Sequence, residues 1–292
     1  MTTVALFVGD ASLDLTLRIP RVPEPDEKIR VDAIAEAPGG VVTNAAVAAS
    51  RAGARVRLLL NLGSDLASET FRKCLAAEGL SMEAGCGEGA LCRATILLDR
   101  DGEKRLLLYP GQSMYPTLAQ VESVDLANVG WVHTAAYDIA VAARLAVRCR
   151  AAGIPWSVDL EPATFALGIA SLAPVLNGAA TVFCNNRAAD LLGGDPAGGL
   201  LDLGVLSVVA TRGPAGAVLY RPDEMVAVAA PSVGLLDTTG AGDCLAGWFV
   251  AERLRGAAPA DAIHLAVAAA TFSCGRFGAH ASFPLAEEMA AA

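Results

Sequence analysis

The segment Asp237-Thr238-Thr239-Gly240-Ala241-Gly242-Asp243 carries the residue types best suited to chemistry. An apolar helical pattern follows it through Leu245, Ala246, Trp248, Phe249 and Leu254 and closes at Arg255-Gly256. Arg253 and Arg255 suit a helix C-terminus and Gly256 its cap. Small residues at the start of that helix leave backbone N–H groups unobstructed, so Gly240, Ala241, Gly242 and Asp243 could cradle an anion at the positive end of the helix dipole. A carboxylate in the same turn, Asp243, would accept a proton from an attacking hydroxyl while the N–H groups stabilise charge on a transferring phosphoryl group. The same pattern also describes a capped helix with a tight entry turn, and these seven residues alone leave both readings open.

Such a turn needs a frame to hold it. Short apolar runs recur at Val4–Val8, Val56–Leu60, Gly130–His133, Trp156–Leu160, Ala180–Cys184 and Val205–Thr211, several separated by Ala/Leu-rich segments of helical spacing. Strands alternating with helices imply a mostly parallel sheet covered on both faces. Two regions break the alternation, Asp14–Ile34 and Cys92–Tyr109, where apolar and polar residues alternate around the turn-rich pieces Pro23–Asp26 and Asp99–Gly102. These predict a small separate sheet acting as a lid over residues 13–35 and 91–109, with residues 1–12, 36–90 and 110–292 forming the α/β core.

The 292 residues with 54% hydrophobic content can bury a large core, and the net charge of -9 opposes a nucleic-acid partner. Seven scattered cysteines, an odd number without a C-x-x-C pair, read as reduced thiols in a cytoplasmic protein. Met1–Val8 lacks a basic leader and reads as a first strand. The uncharged stretch from Pro162 to Asn186 is broken by Pro174 and Asn177-Gly178, so it reads as helix, turn and strand and not as a membrane span. His133, His264 and His280 are dispersed without metal-ligand spacing. Neither a P-loop nor G-x-G-x-x-G after the first strand is present, which argues against Walker-type kinases and dinucleotide-binding oxidoreductases.

Asp237–Asp243 resembles the second signature of the ribokinase-like (PfkB) carbohydrate kinases, and Gly39-Gly40-x-x-x-Asn44, with Gly53 and Gly63-Ser64-Asp65 beyond it, resembles the first. Further similarities lie at Gly9–Asp14, Asp99–Glu103, Thr211-x-Gly213-x-x-Gly216 and Gly278–Pro284, so the likeness spans nearly the whole chain. The resemblance implies a ribokinase-like α/β fold with a β lid and phosphoryl transfer from ATP, with Mg²⁺, to a hydroxyl of a sugar or nucleoside. It also implies Asp243 as base, Gly240, Ala241 and Gly242 as anion hole, and Asp14, Gly39, Gly40 and Asn44 as substrate residues. Asn185, Thr211, Gly213 and Gly216 would border the nucleotide, while Asp237 and Ser282 resemble positions that surround a monovalent cation in some members. Many relatives also dimerise through their lids.

Two departures bear on this reading. The family's Asn-x-x-Glu element reads Asn185-Asn186-Arg187-Ala188 here, with Asp190 two positions further along and on a different side of a helix. The lid leads into Gly111-Gln112-Ser113, where many members have Gly-Ala-Asn. The missing glutamate keeps a second reading in view, a sugar- or nucleotide-binding pseudokinase, which the intact Asp243 opposes.

Overall fold

The computed structural model describes residues 3–87, 89–100, 104–111, 115–165 and 168–291. The proposed turn at Asp99–Gly102, the similarity at Asp99–Glu103 and the Gly111-Gln112-Ser113 loop therefore fall partly outside the described residues, as does Met1 of the first strand. The chain runs through β1 (Val4–Val8), β2 (Ser12–Arg18), β3 (Ala33–Gly39), α1 (Val41–Arg51), β4 (Val56–Leu62), α2 (Leu66–Ala77), β5 (Ser81–Cys86), β6 (Cys92–Leu98) and β7 (Lys104–Tyr109). It continues through α3 (Leu118–Ser123), β8 (Val129–Ala135), α4 (Ile139–Ala152), β9 (Trp156–Leu160), α5 (Ala173–Leu176), β10 (Thr181–Cys184), α6 (Asn186–Leu191), α7 (Pro196–Asp202) and β11 (Val208–Thr211). Last come β12 (Ala217–Arg221), β13 (Glu224–Val228), α8 (Ala241–Leu254), α9 (Pro259–Ser273) and α10 (Ala286–Ala291).

Nine strands form one sheet in the order β13-β12-β11-β10-β9-β8-β1-β4-β5. It is parallel from β5 to β11 and ends in the antiparallel β12 and β13. The alternation of strand side chains explains why both faces are covered. In β1, Ala5 and Phe7 join a core with α1, α8 and α9, whereas Leu6 and Val8 join a second core with α4 and α5. Every residue of this strand beyond Val4 is buried, as a central parallel strand requires.

The sequence does not forecast β5, β12 and β13. β5, Ser-Met-Glu-Ala-Gly-Cys, is an edge strand that alternates over only six residues, with Met82 its one large apolar side chain, so its signal is weak. The β12–β13 hairpin does carry a signal, two apolar runs flanking Pro222-Asp223. Between Pro162 and Asn186 the chain forms two short 3-10 turns before α5 and β10. No helix among the described residues is long and apolar enough to cross a membrane.

A separate four-stranded sheet runs β3-β2-β6-β7, with β2 and β6 parallel and both outer pairs antiparallel. Its inner strands are buried in part, at Ser12 and Leu13 of β2 and at Cys92, Ala94 and Ile96 of β6, while Ile34 of β3 and Leu106–Tyr109 of β7 are exposed.

α1 and α8 cross closely under the large sheet. From Val42 to Ala49 every residue of α1 is buried, and in α8 the same holds from Cys244 to Ala251, the pattern of a helix enclosed on all sides. At the crossing a Cβ on Gly247 would collide with the Ala45 carbonyl oxygen and the Ala48 side chain. Gly247→Ala is therefore expected to cost about 1–3 kcal/mol by overpacking. It should be read as a lower midpoint in chemical denaturation, and an unchanged midpoint would contradict this account of the crossing.

Candidate active site

The turn before α8 is built around Gly240 and Asp237. Gly240 has φ 76°, and a Cβ there would crowd Phe283 and Ala279, so glycine serves both conformation and space. A Cβ on Gly242 would meet nothing, which leaves the first turn of α8 open to an incoming group. The Asp237 carboxylate accepts from the Thr239 N–H at 2.9 Å, the Thr239 hydroxyl at 2.6 Å and the Gly278 N–H at 3.0 Å. Lys104 of β7 adds an ion pair at 3.3 Å and donates to the Thr239 hydroxyl as well. Burial works to raise the Asp237 pKa, but the hydrogen bonds from Thr239 and Gly278, together with the Lys104 charge, hold it below the ordinary value.

This arrangement does not fit a monovalent cation at Asp237 and Ser282. The positive charge at Asp237 is already that of Lys104, and the Ser282 hydroxyl donates to the Ala279 carbonyl at 2.8 Å.

Asp243 lies in the first turn of α8, where its carboxylate accepts a 2.7 Å hydrogen bond from the Asn44 amide of α1. Burial pushes its pKa up to about 8, Asn44 opposes the rise, and Glu161, Asp10 and Asp14 add to it. These carboxylates converge from different elements. Asp10, just past β1, caps α1 by accepting from the Val41 and Val42 N–H groups at 2.8 and 3.0 Å. Asp14 of β2 accepts from Ser12 at 2.6 Å, and a Cβ on Gly39 would run into its carboxylate. Gly40 is the N-cap of α1, at φ 110°. Asp159 is the penultimate residue of β9 and Glu161 follows the strand; burial raises both, and Asp10 raises both further. Asp14, Gly39, Gly40, Asn44 and Asp243 thus meet at one end of the site, as the sequence groups them. Asp10, Asp159 and Glu161 were missed, although Asp10 lies two residues past β1 and Glu161 directly follows β9.

A cavity of about 500 Å³ opens on the other side of the α8 turn. Thr211, Gly213 and Gly216 line it opposite Ala241, Gly242 and Leu245, and its lining is mostly apolar. A second cavity of about 680 Å³, lined by Arg18, Arg100 and Lys104 among others, shares Leu235 and Thr238 with the first. Asn185 lines neither; it is the N-cap of α6, accepting from the Ala188 N–H at 2.8 Å. Ala188, where the sequence lacks the expected glutamate, is wholly buried against the second core, so a carboxylate there would be desolvated. Asp190 is exposed.

Other polar candidates are occupied elsewhere. Arg93 and Arg105 pair with Asp65 and Asp99, His264 is exposed on α9, and burial raises the Cys244 thiol. Among the described residues no group of three or more His, Cys, Asp or Glu forms a ready-made metal cage.

Residues 2–286 match the family described as pfkB family carbohydrate kinase. The chain is 25% identical to a nucleoside kinase of Methanothermobacter thermautotrophicus, covering 96% of this chain and 92% of the relative. It is 27% identical to an ATP-dependent ribose-1-phosphate kinase of Halopiger xanaduensis, covering 98% and 96%. Among solved structures it is similar to a ribokinase of Arabidopsis thaliana complexed with ribose and ATP, at TM-score 0.85 and 21% identity over 100% of this chain and 98% of the other.

Proposed function

The chain belongs to the pfkB family of carbohydrate kinases and is an ATP-dependent sugar or nucleoside kinase; we propose that Asp243 is its general base and that its acceptor carries no negative charge. One observation carries the first point: Asp243 lies half-buried in the first turn of α8, bonded to Asn44, beside an open backbone turn. The acceptor hydroxyl gives its proton to Asp243 as its oxygen attacks the γ-phosphorus of ATP and the bond to ADP breaks. The N–H groups of Gly240, Ala241 and Gly242 stabilise the charge that develops on the phosphoryl oxygens. The cavity beside Thr211, Gly213 and Gly216 takes the nucleotide base and ribose. Asp14, with Gly39 leaving it room, grips the acceptor's hydroxyls under the lid, and Asn44 orients Asp243.

Magnesium takes oxygen donors and keeps much of its water, so it would enter with the nucleotide's phosphates and be met by carboxylates such as Glu161 and Asp159. When bound it neutralises phosphate charge. No step is assigned to a monovalent cation, because Lys104 supplies the charge at Asp237.

The acceptor class follows from charge. Asp10, Asp14, Asp159, Glu161 and Asp243 crowd one another there, each with a raised pKa. A phosphate or carboxylate on the acceptor would add a further negative charge. An uncharged polyol or nucleoside instead offers hydroxyl donors to these oxygens.

A homodimer closed through the lids is also proposed. The sheet's outer strands β3 and β7 are open edges, and Ile34, Leu106, Leu107, Leu108 and Tyr109 are all more than half exposed. Cys74, Cys92, Cys149, Cys184, Cys244 and Cys274 are free thiols, which suits a reducing cytoplasm.

Three outcomes test these points. Asp243→Asn should lower kcat roughly 100-fold to 10,000-fold with little change in thermal melting, and wild-type kcat/KM should rise with pH through about 8, because the base acts only when deprotonated. A variant with near-normal kcat would remove Asp243 from the chemistry. In an acceptor panel, free pentoses, hexoses and nucleosides should be turned over and their phosphates or acids should not, with equal rates in potassium and tetramethylammonium salts. Preference for a sugar phosphate, or a need for potassium, would overturn the charge argument. By sedimentation the chain should behave as a dimer that Leu106→Lys with Leu108→Lys dissociates; a monomeric wild type would reject the lid interface.

A further inference from the structure

His280 sits on a short 3-10 turn, His280–Ser282, far in sequence from the residues that carry the chemistry. Its Nε2 lies 2.8 Å from Asn44 Oδ1, and Asn44 Nδ2 lies 2.7 Å from Asp243 Oδ2. The three side chains form one line, buried at His280 and Asn44 and half-buried at Asp243. We propose that His280 is a positioning residue that fixes the orientation of the Asn44 amide and thereby keeps Asp243 available as a base. The inference rests on the reading of Asp243 given above.

The logic is a matter of donors and acceptors. A carboxamide has a donating end and an accepting end, and it can be turned around by rotating about one bond. When Asn44 donates to the Asp243 carboxylate, its oxygen must face His280, so His280 must present Nε2–H. If Nε2 instead carried a lone pair, the amide would turn and bring its oxygen to Asp243. That arrangement is favourable only when Asp243 is protonated and donates, and a protonated Asp243 accepts no proton from the acceptor. The tautomer of His280 therefore selects the charge state in which Asp243 is bonded.

The surroundings support a fixed, neutral imidazole. Burial holds His280 down to about 4, with Glu78 raising and Arg51 lowering it. A neutral ring has one N–H to give, and its use toward Asn44 leaves Nδ1 unprotonated. The turn is held in place by Arg51, which donates to the Phe283 carbonyl at 2.8 Å and pairs with Glu78 at 2.8 Å. The Phe283 ring lies 6.1 Å from the imidazole and also packs against Gly240, so the same turn supports the anion hole. The charged and titratable groups acting on Asp243 are Glu161, Asp10 and Asp14, with Asp159 and Tyr137 also coupled to it. All but Tyr137 are carboxyl groups that favour its protonated form, and Asn44 is the group that opposes them.

His280→Leu removes the donor, and His280→Gln keeps one of similar reach. In His280→Leu the rising limb of the pH profile of kcat/KM is expected to move up by about one to two units, the size of a lost hydrogen bond to a charged group. The rate at pH 7 would fall roughly 10-fold to 100-fold and recover at high pH, and His280→Gln would restore the wild-type midpoint. An unmoved midpoint in His280→Leu overturns the proposal. A measurement on the wild-type protein needs no folded variant: ring nitrogen NMR should report Nε2–H, with Nδ1 unprotonated, from pH 6 to 9. An Nδ1–H tautomer overturns the proposal whatever the activity. Failure of the Asp243 assignment is separate, since it appears as near-normal kcat in Asp243→Asn.

Discussion

The active end of this protein depends on two helices approaching until one has no room for a side chain. Gly247 of α8 sits against the Ala45 carbonyl and Ala48 of α1, and only at that separation does Asn44, next to Ala45, reach Asp243 at 2.7 Å. Both helices are lined with small residues on the faces that meet, including Ala45, Ala48, Ala49 and Gly247. The alanine bias of the chain thus has a local structural use. It lets α1, whose N-terminus begins at Gly40 beside Asp10, lie close to α8, whose N-terminus begins at Gly240. Two helix N-termini are thereby brought to one place, and each is the positive end of a dipole.

That placement has an electrostatic counterpart. Five carboxyl groups gather near the two helix starts; burial raises all five, and repulsion from neighbouring carboxylates adds to the rise in Asp10, Asp159, Glu161 and Asp243. An ordinary aspartate near 4 would be a weak base toward an alcohol, and the raised value brings Asp243 closer to the range in which proton transfer is useful. Asn44 limits the rise, so the amide and the neighbouring carboxylates act in opposite senses on one group. Asp237, six residues earlier, is treated in the opposite way. Hydrogen bonds and Lys104 keep it ionised, and it fixes the turn without taking part in proton transfer. Because Lys104 belongs to β7 of the small sheet, the same ion pair ties that sheet to the turn before α8.

Much of this was legible in the sequence, for identifiable reasons. The parallel strands announce themselves as apolar runs because they are buried on both faces, and the α8 turn because glycine at Gly240 is needed for both backbone and space. The β12–β13 hairpin was equally readable around Pro222-Asp223, whereas β5 gives only a weak signal, a six-residue alternation with Met82 as its one large apolar side chain. The carboxylates Asp10, Asp159 and Glu161 matter through convergence from strand ends far apart in the chain, which no local pattern expresses. His280 and Lys104 were invisible for the same reason: each is one side chain reaching across the fold, His280 to Asn44 over 236 positions and Lys104 to Asp237 over 133. Asn185, which the family resemblance sets beside the nucleotide, lines neither cavity and is the N-cap of α6.

The account turns on Asp243 being a half-buried carboxyl group that titrates near neutrality with the site empty. The most direct test is a ¹³C NMR titration of the aspartate carboxyl signals, with the Asp243 resonance assigned by its disappearance in Asp243→Asn. A midpoint near 8 is predicted. A midpoint at or below the ordinary aspartate value of about 4 would show a carboxylate that is solvated or differently paired, and would contradict the account.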